Sequence, residues 1–192
     1  MKTLASIAGA ALLATTSVAV ADAEQYKIDA GHTFVTFEAS HIGYAWIPGR
    51  FNEISGSFTY DPDERSASGA EFTVDTTSLD TNHTKRDKHL RSDEFFHASK
   101  YPEATFESTS YEPTGKDTAV MTGDLTIKDV TREVEFQVRE LRAATDPWDK
   151  FRRSFEASTE INLDDFNLDP QDQLPAVSKD VEVRIAVEGI RQ

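Results

Sequence analysis

Ser178-Lys179-Asp180-Val181-Glu182-Val183-Arg184-Ile185-Ala186-Val187-Glu188-Gly189-Ile190, close to the end of the chain, decides the fold class. Val181, Val183, Ile185 and Val187 alternate with Glu182, Arg184, Ala186 and Glu188. A period of two sends the β-branched residues to one face of a strand and most of the charges to the other. Reading outward from this stretch, the pattern recurs. Residues 32–41 put Val35, Phe37, Ala39 and His41 on one side and Thr36, Glu38 and Ser40 on the other. Residues 51–61 align Gly56, Phe58 and Tyr60, and a third run aligns Ala70, Phe72, Val74 and Thr76. Further runs cover residues 103–112, 117–128, 131–143 and 152–163. Turn chemistry separates them: Asp61-Pro62-Asp63, Pro113-Thr114-Gly115 and the tighter Lys128-Asp129. The last reads as a type I′ hairpin, which needs positive φ at both central residues. Eight long antiparallel strands suit an all-β barrel better than a sandwich, whose strands run shorter. Closure of the barrel also removes the sheet edges.

One segment breaks the alternation. Residues 81–92, from Thr81 through His83, Arg86, Asp87 and His89 to Ser92, contain no β-branched run. They read as one inserted helix of about three turns, capped by Asp80 or Thr81.

The chain has 192 residues, which suits one domain, and 38% are hydrophobic, enough for a core. Lys and Arg total 20 against 34 Asp and Glu, a net charge of −14. That balance repels nucleic-acid phosphates and argues against a basic, surface-lying membrane protein. The absence of cysteine rules out disulfides and thiolate chemistry. Residues 1–21 have a signal peptide's form: Lys2, an uncharged Ala-rich run with Leu4, Ile7, Leu12, Leu13 and Val18, then small-x-small sites ending at Ala21 and Ala23. Cleavage after either leaves a single domain over residues 24–192 and places it in the periplasm. No later segment is apolar enough to span a membrane, so the mature chain is not expected to be membrane-embedded.

Two sets of residues are candidates for binding. Val35, Phe37, Phe58, Phe72, Val74, Phe106 and Phe136 alternate toward the barrel interior, where they either fill a core or line a cavity. Residues 41–51 read as a loop, with Gly43, Pro48 and Gly49. There Tyr44 and Trp46 either cover an opening or anchor the loop, and His41 and Arg50 are placed to meet a polar head group. The five histidines show no H-x-x-x-H or H-E-x-x-H spacing, and no G-x-S-x-G elbow is present, so neither a metal site, a cofactor nor a catalytic residue is expected. Arg86, Asp87 and His83 read instead as ties between helix and barrel. The rival reading is a metal-assisted hydrolase or isomerase using His41, His83 and Asp87 at the barrel mouth.

Several motifs together resemble the YceI family. They are Ser40-His41-Ile42-Gly43-Tyr44-Ala45-Trp46 with Gly49-Arg50-Phe51, then Thr81-Asn82-His83 with Arg86-Asp87-Lys88-His89-Leu90-Arg91-Ser92. Tyr101-Pro102-Glu103-Ala104-Thr105-Phe106 and Gly123-Asp124-Leu125-Thr126-Ile127-Lys128-Asp129-Val130-Thr131 continue the series, as do Asp146-Pro147-Trp148 and Val187-Glu188-Gly189-Ile190. The resemblance runs from about Tyr26 to Gln192 and departs from it at Asp129 and Asp164. It implies a lipocalin-like barrel holding a long apolar lipid of polyisoprenoid or isoprenoid-quinone type, a cavity rather than a filled core, and no established catalysis. It further implies a periplasmic carrier with a membrane cytochrome of the b561 type as a partner; a monomer or homodimer is expected.

Overall fold

The computed structural model describes residues 23–169 and 172–192; the expected signal peptide lies outside them, apart from its alternative end at Ala23. Eleven strands form one antiparallel sheet. They are β1 (Glu24–Ile28), β2 (Phe34–His41), β3 (Ala45–Phe51), β4 (Ile54–Asp61), β5 (Ser66–Asp75) and β6 (Leu79–Asp80). After the helix α1 (Thr84–Leu90) come β7 (Glu103–Pro113), β8 (Thr118–Ile127), β9 (Val130–Thr145), β10 (Phe151–Asn162) and β11 (Asp180–Arg191).

Pairing reduces these to eight staves. β1 and β2 follow one another along the edge of β11, at Ile28↔Gly189 and then Ala186↔Phe34. A short 3-10 turn, Ala30–His32, separates them, and Asp29 caps it by accepting the Gly31 N–H. β3 and β4 form the facing stave, through His41↔Ala45 and Glu24↔Tyr60. β5 and β6 make the third, through Ile54↔Val74 and Arg50↔Asp80. β7 to β11 add five more, and the β1–β11 pairing closes the ring. The result is the closed eight-strand antiparallel barrel expected from the alternation, with a single α-helix among the described residues.

Three local expectations are corrected. The first stave starts at Glu24 rather than His32, because Glu24–Ile28 pairs on both sides. The segment read as a loop from His41 to Phe51 is mostly strand, turning only at Ile42–Tyr44. Pro48 is accommodated because Ala45–Gly49 is paired on one side only. The helix has seven residues, not three turns, and its N-cap is His83, whose Nδ1 accepts the Arg86 N–H at 3.2 Å.

The Lys128-Asp129 turn also differs. Lys128 has φ +59°, whereas Asp129 is absent from the left-handed region that a type I′ turn requires there. The Asp129 carboxylate instead accepts the Tyr101 hydroxyl at 3.1 Å, holding the turn against the long connection before β7. Asp164 follows an Asn162 cap at the start of a 3-10 turn and pairs with Lys179 at 3.0 Å.

Candidate ligand-binding site

The strand directions give the barrel two unlike ends. The start of β1, the C-terminus and the turns at residues 61–66, 113–118 and 145–151 gather at one end. The β2–β3 hairpin, the α1 insertion and the connection from β10 to β11 gather at the other.

The end with the C-terminus is closed. Tyr26 stacks on Phe58 at 4.9 Å between centroids, and Phe58 and Tyr60 both meet Phe155 at under 6 Å. Beneath this aromatic floor lies Arg153, only 6% exposed. Its Nη1 donates to Glu140, its Nε lies 3.3 Å from the Tyr26 hydroxyl, and its guanidinium sits 3.9 Å from the centre of the Tyr60 ring. The Tyr60 hydroxyl donates to Glu140 at 3.1 Å. Burial, followed by the Glu140 charge, pushes the Tyr60 hydroxyl up to about 12. Burial opposes ionisation at Glu24, but bonds from Tyr26 and Arg191 outweigh it and leave its carboxyl below the usual range. A guanidinium can be stable at such depth only when carboxylates and hydrogen bonds surround it, as here.

Above the floor the barrel is hollow. A cavity of about 480 Å³ runs through it, within the range of small-molecule pockets. Val35, Phe37, Phe58, Phe72, Val74, Phe106 and Phe136 all line it, as the alternation anticipates, and His41 lines it near the open end. Two glycines explain how the phenylalanines leave space. A Cβ at Gly49 would lie 2.1 Å from the Phe37 ring, and one at Gly123 would lie 2.4 Å from the Phe106 ring. Each ring therefore lies flat over a neighbouring glycine on the wall instead of standing into the lumen.

Tyr44, Trp46 and Arg50 do not line the cavity. Tyr44 and Trp46 are 87% and 64% exposed, and Arg50 pairs with Asp80 at 3.2 Å on the outer wall. A strand from Ala45 to Phe51 turns alternate residues outward, which a loop need not do. The mouth is built instead from residues that the alternation does not reveal. Leu90, Phe95 and Phe96 come from the insertion, and Leu163, Leu168, Leu174 and Pro175 from the connection before β11. Phe96 makes an edge contact with Phe51 at 5.7 Å. No periodicity marks these positions, but the apolar pairs in otherwise polar connections are a usable signal.

Hydrogen bonds fix α1 at this mouth. The buried Asp87 carboxylate accepts the Thr81 N–H at 2.9 Å and the Thr81 hydroxyl at 2.5 Å. Arg86 donates from Nε to the Thr81 hydroxyl and from Nη2 to the Thr81 carbonyl, both at 2.7 Å. Arg91 reaches the Asp87 and Thr77 carbonyls at 3.1 Å. Arg86 also lines the cavity, and it is the one permanently charged side chain among the described lining residues.

The groups named for the rival enzyme have other hydrogen-bond roles or none recorded between them. No hydrogen bond or ion pair among the described residues joins His41 to His83 or Asp87; His83 caps the helix and Asp87 serves Thr81. The described residues do bring Asp29, His32 and Glu188 together. The Arg152 guanidinium occupies that cluster, at 2.6 Å from Asp29 and 3.1 Å from Glu188, and holds Asp146 at 2.7 Å. Its hydrogen bonds lower the carboxyls of both Asp29 and Asp146.

The outer wall is polar: Thr36, Glu38, Glu182 and Arg184 alternate outward from β2 and β11. No helix among the described residues is long and apolar enough to cross a membrane.

Comparison with known proteins places this geometry. The YceI-like domain matches residues 26–189. A UPF0312 protein of Pseudomonas aeruginosa is 45% identical over 194 aligned residues, spanning 100% of this chain and 98% of the relative. The YCEI protein of Campylobacter jejuni superposes with a TM-score of 0.72 at 28% identity, covering 80% of this chain and 90% of that one. A polyisoprenoid-binding domain from Saccharophagus degradans, implicated in plant cell wall breakdown, shares the fold with a TM-score of 0.68 at 19% identity. That match covers 87% of this chain and 98% of the other.

Proposed function

The chain belongs to the YceI-like domain family, and from that premise we propose that its barrel binds and carries one long apolar lipid of polyisoprenoid or isoprenoid-quinone type. The observation that carries the proposal is the hollow interior: an apolar cavity of about 480 Å³, floored at one end and open at the other. At roughly 0.8 kcal/mol per buried CH₂, each five-carbon unit drawn inside gains about 3–4 kcal/mol before ordering costs. A chain of several units thus needs no strong polar clamp, in keeping with a lining in which Arg86 is the one permanent charge among the described residues. The polyisoprenoid-binding domain with the same fold supports this ligand class.

The proposed place of work is the periplasm, on the strength of the leader-like residues 1–21. A carrier there sheathes an apolar chain across water and needs no chemistry of its own. A membrane cytochrome of the b561 type is the partner class that fits a quinone-like cargo. The test is mass spectrometry of the apolar fraction released when the protein, purified from its native host without detergent, is denatured. Stoichiometric isoprenoid lipid is the expected result; an empty barrel, or one that takes up no added isoprenoid, refutes the reading.

A further inference from the structure

Ile42, Tyr44, Trp46 and Val177 are four of the seven large apolar side chains exposed among the described residues, and all four sit at the open end. They come from the β2–β3 hairpin and from the 3-10 turn Ala176–Ser178, which are joined where the Ile42 N–H donates to the Ser178 hydroxyl at 3.2 Å. On its β3 edge the hairpin runs past the sheet pairing, while β2 stays paired to β11 as far as Ala39↔Val181. The last β3 rung against β6 is Arg50↔Asp80, and Trp46 lies four residues beyond it, roughly 13 Å at about 3.3 Å per residue. Ile42 has φ +54°, a conformation that β-branched residues rarely adopt. Its backbone is held there by Ser178 and by the Gly43 N–H, which donates to the Ser40 hydroxyl at 3.0 Å. Ile42 is 54% exposed and also lines the cavity, so the outer patch and the lumen form one continuous apolar path.

Charge at the same rim is local. The whole chain carries −14, and residues 80–94 set Lys85, Arg86, Lys88 and Arg91 against Asp80, Asp87, Asp93 and Glu94; Asp87 is buried, Asp80 pairs with Arg50 and Glu94 with His89. Lys85 and Lys88 are exposed. The connection on the opposite side of the mouth carries Asp164, Asp165 and Asp172, with Lys179 paired to the first and last of these. Trp and Tyr favour the level of lipid head groups, where one end of the ring is wet, and lysines beside them meet phosphate.

We propose that the β2–β3 hairpin tip and the exposed face of α1 form a membrane-docking edge, which seats the cavity mouth on the head-group layer of a phospholipid bilayer. The acidic side of the rim tilts away from the surface, so contact is transient and the overall negative charge is tolerated. Only side chains enter the interface, since β3 from Ala45 to Gly49 has backbone groups unpaired on one edge that cannot leave water or head groups. This inference rests on the carrier reading, for which it supplies the loading step.

The test uses protein expressed from the full-length gene. Trp148→Phe leaves Trp46 as the single indole, and Trp46→Phe leaves Trp148, which is exposed at the closed end. Each is mixed with vesicles of phosphatidylethanolamine and phosphatidylglycerol whose acyl chains are brominated near the carbonyl. Trp46 emission is expected to shift to the blue and be quenched while Trp148 emission is not. The Tyr44→Ser/Trp46→Ser variant, altered at two exposed residues that do not line the cavity, should lose about tenfold or more in vesicle partition while retaining its capacity for added isoprenoid in solution. Absence of Trp46 quenching at saturating vesicles, or equal quenching of both indoles, overturns the proposal. So does a dimer in sedimentation that the same double variant dissociates, because the patch then belongs to a second copy. Quenching is read without reference to cargo, so docking by a barrel that proves lipid-free refutes the carrier reading and leaves the edge standing.

Discussion

Phe37 and Glu38 are neighbours on β2 with opposite fates: Phe37 lines the cavity, and Glu38 faces out opposite Glu182. Replacing Phe37 by Asp puts a carboxylate into the lumen beside Phe51, whose ring lies 5.7 Å from that of Phe37. In an unliganded barrel open at one end, water can reach that carboxylate. When an apolar chain enters, the carboxylate must be stripped of water, at a cost of several kcal/mol unless it protonates. About 4 kcal/mol corresponds to roughly a thousandfold weaker binding. Phe37→Asp is therefore expected to abolish retention of a fluorescent isoprenoid analogue at pH 7. Partial recovery should follow on acidification, since burial raises a carboxyl and the neutral form is the one the lipid tolerates. Glu38→Lys should leave retention unchanged. Phe37 is only half-buried, so the loss of its packing should cost less than the roughly 3–5 kcal/mol of a fully buried Phe. Retention at wild-type strength by a cooperatively melting Phe37→Asp protein would refute the cavity as the binding site. Wild-type retention with Glu38→Lys impaired would refute the facing of the strand.

At the closed end, Arg153→Met should destabilise the fold by about 3–5 kcal/mol at pH 7, because Glu140 and Glu24 lose a buried counter-charge; denaturant titration that finds an unaltered midpoint would contradict the floor's construction. In the wild type, Glu24, Asp29 and Asp146 have lowered carboxyl values, so the stability they supply is complete above the unfolded carboxylate range and falls as pH drops through their folded values; a melting temperature that rises on acidification below pH 4 would reverse that sign. Lys128→Gly should stabilise by up to about 1 kcal/mol by relieving a left-handed backbone, offset in part by the lost 2.9 Å bond to the Asn167 carbonyl, whereas Asp129→Gly should not stabilise because it removes the Tyr101 contact; urea midpoints distinguish the two. Chelation should leave the melting temperature and lipid retention unchanged, as Arg152 already neutralises the Asp29 and Glu188 carboxylates. Intact mass of periplasmic protein should place the mature N-terminus at Asp22 or Glu24, with recovery as full-length membrane-bound chain the contrary result.

The barrel was legible because alternation is a local consequence of the strand period. From Val181 to Val187 each residue's side is set by its neighbour, and the same rule placed Phe37, Phe58, Phe72, Phe106 and Phe136 on the lumen. The failures share a cause: each depends on a partner distant in sequence. Glu24–Ile28 looks unremarkable alone and becomes a strand because β4 and β11 flank it. Residues 45–51 contain Pro48 and Gly49, which argue for a loop, yet pairing with β2 overrides them. Gly49 has its own reason to be there, as the flat seat for the Phe37 ring. Asp129 reads as a turn residue and is occupied by Tyr101, 28 positions away.

Hollow and filled barrels share the same alternation, so the cavity itself could not be read from the strands. What separates them is where the small residues fall relative to the rings. A glycine opposite an inward phenylalanine lets the ring lie along the wall, as Gly49 does for Phe37. A larger residue there would stand the ring into the lumen and fill it. The floor obeys the opposite logic. Gly189 gives Phe58 the same close seat, but Tyr26 stacks above that ring and Phe155 meets its edge, so the aromatics converge instead of parting. Arg153 then occupies the space below, where an aliphatic residue would extend the apolar path through the end of the barrel. A buried guanidinium ringed by Glu24, Glu140 and two tyrosines gives an apolar chain no favourable way past, since displacing it would unpair a charge away from water. The lumen is thus closed at this end, and an apolar chain would have to enter and leave by the mouth that the insertion and the β10–β11 connection frame.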